Sequence, residues 1–597
     1  MDKNTVIGFI LIGLVLMIWL FINTPPPQPV SSIKDTTQIA GKSFLRDSVK
    51  STTKEIPEQK NAQDTLGKYF SHLSGKSKQI ITIETENYYA EVSSIGGSIQ
   101  KWILKKYRKW DQYPIDLVSI QPEGNPNLIF YTTDGKLIST KKLNFEFANI
   151  KSTKYEIGKN DSVTIELNLN IDDHSKITKI ITFYGNSYSF DVSYRFVEMK
   201  DIISNFQYQI AWDSGIQYTE HNSIDETNSA KALIYAGGEL TEIDAKNFNE
   251  QYKDSISGRI SWAATRTKYF TVIIIPVEKE THAAYLEGVR EKLPDEGARE
   301  KYNISLEYPY TGRESETVKF IIYLGPLDFD ILKKYNIELE KIISLGAAWI
   351  IRPISEYIII PLFKFLRIFI PNYGFVLIVF SFIIKIVLHP LTKSSMKSMQ
   401  KMQALQPMMN EIREKYKDDP QKMNQQIMRL YKEYGVNPAG GCLPLLLQLP
   451  ILYALWAVFS SAIELRQAAF ILWIKDLSIP DVIARLPFRI PIFNINEISG
   501  LALLMGITMF VQQKMSVKDP RQKMMVWMMP LLLTLMFNAF PSGLNLYYFV
   551  FNLLSIVQQA WITKKHKNEP LRKVEPKKSS GGWISKIAKE LPTKPKH

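Results

Sequence analysis

Cysteine is almost missing. Cys442 is the single one in 597 residues, so no intramolecular disulfide can form and each folded part must be held by its own core. It stands in GGCLP at the head of an apolar run, a packing position rather than that of a nucleophile. Histidine is scarce as well. His72, His174, His221 and His282 are scattered through the first half without metal-ligand spacing. Glu220-His221 is the one acid–base neighbour pair there, and adjacent residues on a strand face opposite ways, which argues against a shared site. No glycine-rich phosphate loop is present. The sequence therefore predicts no catalysis, no cofactor and no metal. Acidic residues are in deficit, 59 against 73 Lys and Arg, for a net charge of +14. The excess gathers at Lys393–Lys432 and in the tail Lys564–His597, both beside apolar runs. Cytoplasmic loops of membrane proteins collect Lys and Arg in this way; contact with nucleic acid or lipid headgroups is the alternative.

What is present divides the chain. Residues 1–23 carry VIGFILIGLVLMIWLFI, long enough to span a bilayer, and no small-residue cleavage site follows, so a signal anchor is expected. Residues 24–77, rich in Pro, Ser, Thr, Lys and Gln, read as a flexible linker. Over 78–330, segments such as IITIETENYYAEV, DSVTIELNLNI and SKITKIITFYGNSYSFDVSYRFV alternate apolar and polar residues between Gly, Asn and Asp. That pattern predicts a mainly antiparallel β-sandwich. Residues 331–371 are expected to connect through interfacial amphipathic helices, because Arg352, Glu356, Lys364, Arg367 and several prolines interrupt the apolar run.

Residues 372–563 read as a five-helix core, with spans near Tyr373–Leu388, Leu443–Ser461, Ile498–Val511, Met524–Phe537 and Leu544–Ile562. With the anchor this makes an α-helical transmembrane bundle of six spans. The loops Lys393–Lys432 and Lys514–Lys523 and the tail 564–597 carry the Lys/Arg excess, whereas NAFPSG has no charge. Both termini are thus expected in the cytoplasm and the β-domain in the periplasm of a two-membrane bacterium.

Lys385 sits inside FSFIIKIVLHPLT, roughly 7–8 Å from the cytoplasmic end of its helix. A lysine there can snorkel to the headgroups. Ser381, Lys385 and His389, however, are four apart and share one helix face. The last span carries a longer polar face, Asn545, Tyr548, Asn552, Ser555 and Gln559, and other spans add Gln448, Thr534 and Asn538. Polar groups facing hydrocarbon cost several kcal/mol each unless paired or wetted. These either join helices by hydrogen bonds or line a hydrated cavity. Between the first two core spans, 392–435 reads as a cytoplasmic helical hairpin, with Asp419 capping its second helix and Gly435 ending it. Met396, Met399, Met402, Met408 and Met409 lie on its first helix. They either pack inside the hairpin or capture apolar clients.

The segments NYGFVLIVFSFIIKIVLHPLTKSSMKSMQKMQALQP, VNPAGGCLPLLLQLPILYAL, IELRQAAFILWIKDLS, LLMGITMFVQQKM and FPSGLNLYYFVFNLLSIVQQ, in this order, resemble the YidC family of membrane protein insertases. ETENYYAEVSSIGGSIQKWIL, WAATRTKYF and YLGPLDF resemble its periplasmic domain more weakly. The resemblance implies insertion and folding of nascent membrane proteins in the bacterial inner membrane, alone or beside the Sec translocon. The ribosome, met by the basic tail, and the lipid bilayer are the further expected partners. In the family an arginine stands where this chain has Lys385. Lysine keeps the charge but loses the bidentate fork. Ser381 and Tyr548 match positions along which client helices slide, and Gln448 matches a groove glutamine. The β-domain resembles a sugar-mutarotase supersandwich, which by itself says nothing of sugar chemistry. A secondary transporter would show internal repeats and broken helices at the midplane, and the sequence has neither sign. An envelope scaffold would need its spans only as anchors, which the intramembrane polar faces argue against. Binding of a ribosome–nascent-chain complex separates the three.

Overall fold

The structure, a computed structural model, describes residues 62–565 apart from 76, 119–123, 149, 295–296, 437–442, 491–494 and 518–522, together with residue 573. The expected anchor, Cys442 and nearly all of the basic tail lie outside the described residues.

From Ile80 to Pro326 the alternating segments form sheets of five, nine and six strands. Ser189–Val197 shows the local cause: SFDVSYRFV puts Phe190, Val192, Tyr194 and Phe196 on one face, and all four are fully buried. Its neighbours Lys176–Tyr184 and Ser315–Pro326 pair with it antiparallel on either side. The sheets meet through aromatic side chains. Trp102 of the five-stranded sheet lies 5.2 Å from Phe190 of the nine-stranded one. Phe196 of the latter lies 4.8 Å from Tyr208 of the six-stranded one. Among the described strands one pairing is parallel, that of Ile80–Glu84 with Lys154–Glu156, and Phe248 and Arg290 form an isolated parallel bridge.

The linker expectation for 24–77 needs one correction. Ala62–Phe70 is a helix, followed by a tight turn at Ser71–Leu73. The helix is interrupted at Gly67 (φ 66°), and after it Phe70 and Leu73 are buried against the β-domain, with Phe70 meeting Phe130 edge-on at 5.6 Å. Two apolar residues in a polar stretch were too few to stand out.

After the sheets, Ile351–Ile354 runs through a π-turn, Ser355–Ile359, into Ile360–Phe369. Phe363 and Leu366 pack inward, while Tyr357, Phe365, Ile368 and Phe369 stay exposed. The bundle follows: α1 (Tyr373–Val387), α2 (His389–Ala404), α3 (Gln406–Lys415), α4 (Pro420–Glu433), α5 (Leu443–Ser461), α6 (Gly500–Ser516), α7 (Lys523–Phe537) and α8 (Ser542–Lys565). Five of these, α1 and α5–α8, begin or end within a few residues of the expected spans. Among the described residues no single helix is long and apolar enough to cross a membrane. The reason is arithmetic. The 15 residues of α1 rise about 22 Å against a hydrocarbon core about 30 Å thick. The longest helix, α8, carries the polar face that lowers its hydropathy.

Two further departures concern loops. The first helix of the expected hairpin is two helices, α2 and α3, because Pro407 restarts the backbone after Leu405. Asp419 caps α4 through Lys422 N at 3.0 Å and Gly435 ends it at φ 61°, as expected. The charge-balanced connection Glu464–Glu497 contains a β-hairpin, Val482–Ile490 paired with Ile495–Ser499. Its alternation is broken by Pro487, which masks the strand in the sequence.

The β-domain and bundle are joined by side chains. Arg466, in the loop after α5, puts Nε 2.7 Å from Glu220 Oε1. Its neighbour Gln467 donates to the carbonyls of Arg108 and Lys109. Glu226, fully buried, fixes this corner: its carboxylate accepts the backbone N–H groups of Thr219, Glu220 and Lys268. Burial, with Glu220 close by, holds its carboxyl above the usual carboxylate range. Glu220-His221 is thus not on a strand; Glu220 serves the domain junction and His221 meets Trp110 edge-on at 4.4 Å.

Candidate functional site: a buried lysine against a polar helix

α1 begins at Asn372, whose side chain accepts from Gly374 N, and runs apolar for fifteen residues with one charge. The ring of Phe470 covers Gly374 so closely that a Cβ there would lie 2.0 Å from it. This seats α1 against the outer loop and fixes which face meets α8. On that face Ser381 is fully buried and returns its hydroxyl to Leu377 O at 2.7 Å. Lys385, one turn on, is 9% exposed. Its ammonium donates to Ser555 Oγ at 2.6 Å and stands 4.5 Å above the Phe551 ring. Among the described residues no carboxylate lies within ion-pair distance of it. The charge points into the bundle rather than along the helix toward its end. His389, a further turn on, shares Nδ1 with Gln558 Nε2 at 2.9 Å, and Gln558 also reaches Thr392 Oγ1.

The polar face of α8 divides into three groups. At its inner end, Gln559 and Ser516 exchange hydrogen bonds at 3.0 and 3.2 Å, which ties α8 to the end of α6. In the middle, Ser555 receives Lys385, and Asn552 Nδ2 is buried with no hydrogen bond to a described protein atom. Toward the outer end, Tyr548 faces the Gln448 side chain of α5 and meets Phe537 edge-on at 5.3 Å. Asn545 there donates to Phe537 O while its own carbonyl oxygen, and the hydroxyl of Tyr547, stay without a described protein partner. Leaving a buried polar atom unmade costs about 1–3 kcal/mol. With Gln558 Oε1, four such atoms along α8 therefore mark a surface not built for dry packing.

Two expected residues stand apart from this face. Thr534 turns its hydroxyl to Pro530 O and fits against Gly506, where a Cβ would lie 2.0 Å from Thr534 Oγ1. It lets α6 and α7 approach closely. Asn538 lies at the outer end of α7, accepting from Ser499 N at 2.8 Å and donating to Glu497 O at 2.6 Å. Neither touches Lys385. In the helical hairpin of α2–α4, Met409 is buried with Leu405, Leu430, Tyr431 and Tyr434, and Met402 packs on the same cluster. Met408 is exposed, and Met396 and Met399 are half-buried. Phe551 and Gln558, which complete the surroundings of Lys385 and His389, were missed. The first is apolar and the second lies beside the Gln559 repeat, so neither breaks a pattern.

The fold is thus a helical bundle with one charge buried against a polar helix, joined to a large antiparallel β-domain. Residues 365–569 match the family model of the 60Kd inner membrane protein, and residues 80–357 that of the YidC periplasmic domain. The chain is 38% identical over 592 residues to the membrane protein insertase YidC of Chlorobium phaeovibrioides, covering 98% of this chain and all of that one. It is 37% identical over 574 residues to that of Chlorobaculum parvum, covering 95% and 96%. The chain belongs to the YidC family of membrane protein insertases, and is a membrane protein with a periplasmic domain. A solved active YidC insertase with its first transmembrane domain resolved is 18% identical, with a TM-score of 0.35 over 82% of this chain and 94% of that one. A galactose mutarotase-like protein of Lactobacillus casei scores 0.27 over 41% of this chain and all of its own. At those scores neither likeness carries an argument.

Proposed function

We propose that the chain inserts nascent membrane proteins through a hydrated groove between α1, α5 and α8, with Lys385 as its charge. Six spans, both termini in the cytoplasm and the β-domain outside are the topology this requires. The observation that carries the reading is the buried ammonium of Lys385, held by a hydroxyl and a ring face but by no described carboxylate. A client's hydrophilic, often acidic, outer segment supplies the missing negative charge. It enters from the cytoplasm and moves along Gln448, Asn545, Tyr548, Asn552 and Ser555, where the polar atoms left over by the protein accept or donate to it. Short helices shorten the barrier to be crossed. The client's apolar helix then leaves sideways into lipid. Energy comes from hydrophobic partitioning and the membrane potential, at about 2.3 kcal/mol per charge per 100 mV. Met408, Met396 and Met399 supply the apolar surface on which a nascent segment first lands. The basic tail meets ribosomal RNA through phosphate contacts, and the Sec translocon delivers further clients.

The test is insertion of a single-span client with an acidic outer tail into liposomes holding only this protein. Lys385→Ala should fall about tenfold or more and Lys385→Arg should retain insertion. Normal insertion by Lys385→Ala removes the charge from the mechanism.

A further inference from the structure

The β-hairpin Val482–Ile490/Ile495–Ser499 has no place in the insertion path, yet it is built firmly. Asp481 at its base accepts from Trp473 Nε1 at 2.8 Å, Ser499 Oγ at 2.5 Å and Leu501 N at 2.8 Å. Ser499 in turn caps α6 through Ala502 N. From the other side Asn538, just past the end of α7, clamps Ser499 and Glu497. The base is therefore bolted to the outer ends of two bundle helices.

Above that base the hairpin is apolar and uncovered. Ile483 and Phe488 are 51% and 62% exposed, and Val482 is 40% exposed. The adjoining loop exposes Leu472 at 81% and Trp473 at 42%. Between hairpin and loop opens a cleft of about 570 Å³, walled by Trp473, Ile479, Val482 and Ile483, with Lys475 at its edge. Asp476 and Asp481 also border it, but their carboxylates are occupied by Ser478, Ser499 and Trp473. Arg485 stands exposed on the hairpin, paired to Glu497 at 3.0 Å. Two strands without a third layer are marginal in water. Here Val482–Ile490 stays exposed along nearly its whole length, while Ile495 of the partner strand is buried. Exposed apolar side chains interleaved with Lys, Arg and Trp have the composition of an element that lies in a membrane interface.

We infer that the paired strands Val482–Ile490 and Ile495–Ser499 and the loop about Trp473 form an interfacial anchor that docks on phospholipids of the outward-facing leaflet. The occupant follows from continuity: the hairpin passes without a break into α6, so its base stands where that helix meets the outer surface. Its depth follows from hydrogen bonding. Both strands have free edges, and an open edge is not tolerated in hydrocarbon, so the hairpin rests at the headgroup–acyl boundary with apolar side chains directed inward. Lys475 and Arg485 face lipid phosphate, and an acyl chain or glycerol backbone fills the cleft. The anchor would hold the outer ends of α6 and α7 at a fixed depth while clients pass α8. This rests on the reading of α6 as membrane-inserted.

The test uses the whole protein with Cys442→Ser, reconstituted in vesicles of phosphatidylethanolamine and phosphatidylglycerol. Single nitroxide labels are placed at Ile483→Cys, Phe488→Cys, Ile507→Cys in the middle of α6, and Asp254→Cys on the exposed rim of the β-domain. All four positions are exposed, so the labels do not disturb packing. Collision with dissolved oxygen and with a water-soluble nickel chelate is read at each. The expected result is oxygen exceeding nickel several-fold at 507, a smaller excess at 483 and 488, and the reverse at 254. Nickel access at 488 equal to that at 254, with 507 in lipid, overturns the anchor and leaves the membrane reading intact. Low access to both reagents at 488 means that protein covers the hairpin, a second copy included, and also overturns it. Nickel access at 507 overturns the membrane reading itself.

Discussion

Removing the Arg466 guanidinium should loosen the β-domain from the bundle. Arg466 and Glu220 are 2.7 Å apart with side chains 3% and 10% exposed. Truncating one member of a buried pair costs about 3–5 kcal/mol, because the other charge is left buried and alone. The guanidinium carbon also stands 5.7 Å from the rings of both Tyr269 and Phe270, worth about 0.5–1 kcal/mol each. Against this, Arg466 Nη2 is buried without a described partner, which lowers the net loss. An expected cost of about 3 kcal/mol is roughly a hundredfold in the undocked population. The assay is provided by the next residue. Gln467 holds the carbonyls of Arg108 and Lys109, the bonds trypsin cleaves. When opening is fast relative to cleavage, proteolysis reads the open population. Arg466→Ala should therefore be cut at Arg108 and Lys109 about a hundred times faster than the parent protein. Glu220→Gln should be cut faster by a smaller factor, and the double variant should fall short of the product of the two. Cleavage of Arg466→Ala within twofold of the parent would show that this pair does not hold the junction.

Lys179 gives a pH prediction: it is fully buried, donates to the carbonyls of Gly96 and Pro126, and burial pushes its amine down to about 7. Between that value and about 10.4 the unfolded chain binds one proton more than the folded one. The β-domain should thus gain stability with rising pH at up to about 1.4 kcal/mol per unit, a gain absent below about pH 7. Lys179→Met should flatten the slope in denaturant titrations of the solubilised protein. Gly506→Leu should part α6 from α7 at Thr534 and cost about 1–3 kcal/mol, read as a lowered thermal midpoint in detergent. Asp481→Ala should cost about 3 kcal/mol by stripping three hydrogen bonds from the hairpin base, read as faster amide exchange at Leu501 and Ala502.

The sequence was most legible where one period ran uninterrupted. The strand SFDVSYRFV and the apolar runs of α1 and α5–α8 were placed to within a few residues because burial there follows a simple repeat. The polar faces of α1 and α8 were legible for the same reason, and the structure brings Lys385 to Ser555. What was not legible is pairing at a distance. Nothing in the spacing of Arg466 and Glu220 relates them. Asn538, on the same repeat as Thr534, reads as another groove group, but its position past the last turn of α7 gives its amide to the hairpin. The hairpin itself was hidden because Pro487 and two arginines interrupt its alternation. Period-based reading also cannot see that α2 and α3 break at Leu405, where one proline alters direction without altering composition.

The closed base of the hairpin has a consequence for how this chain can change over time. Gly500 N donates to Asp481 O at 3.1 Å, so the two ends of the strand pair close on each other at the head of α6. The strands between them form a side loop of the chain. Lengthening such a segment raises its closure cost only logarithmically, about 0.6 kcal/mol for each doubling. Lineages are freer to vary the exposed strand Val482–Ile490 than Glu497 and Ser499, which Asn538 ties to the end of α7.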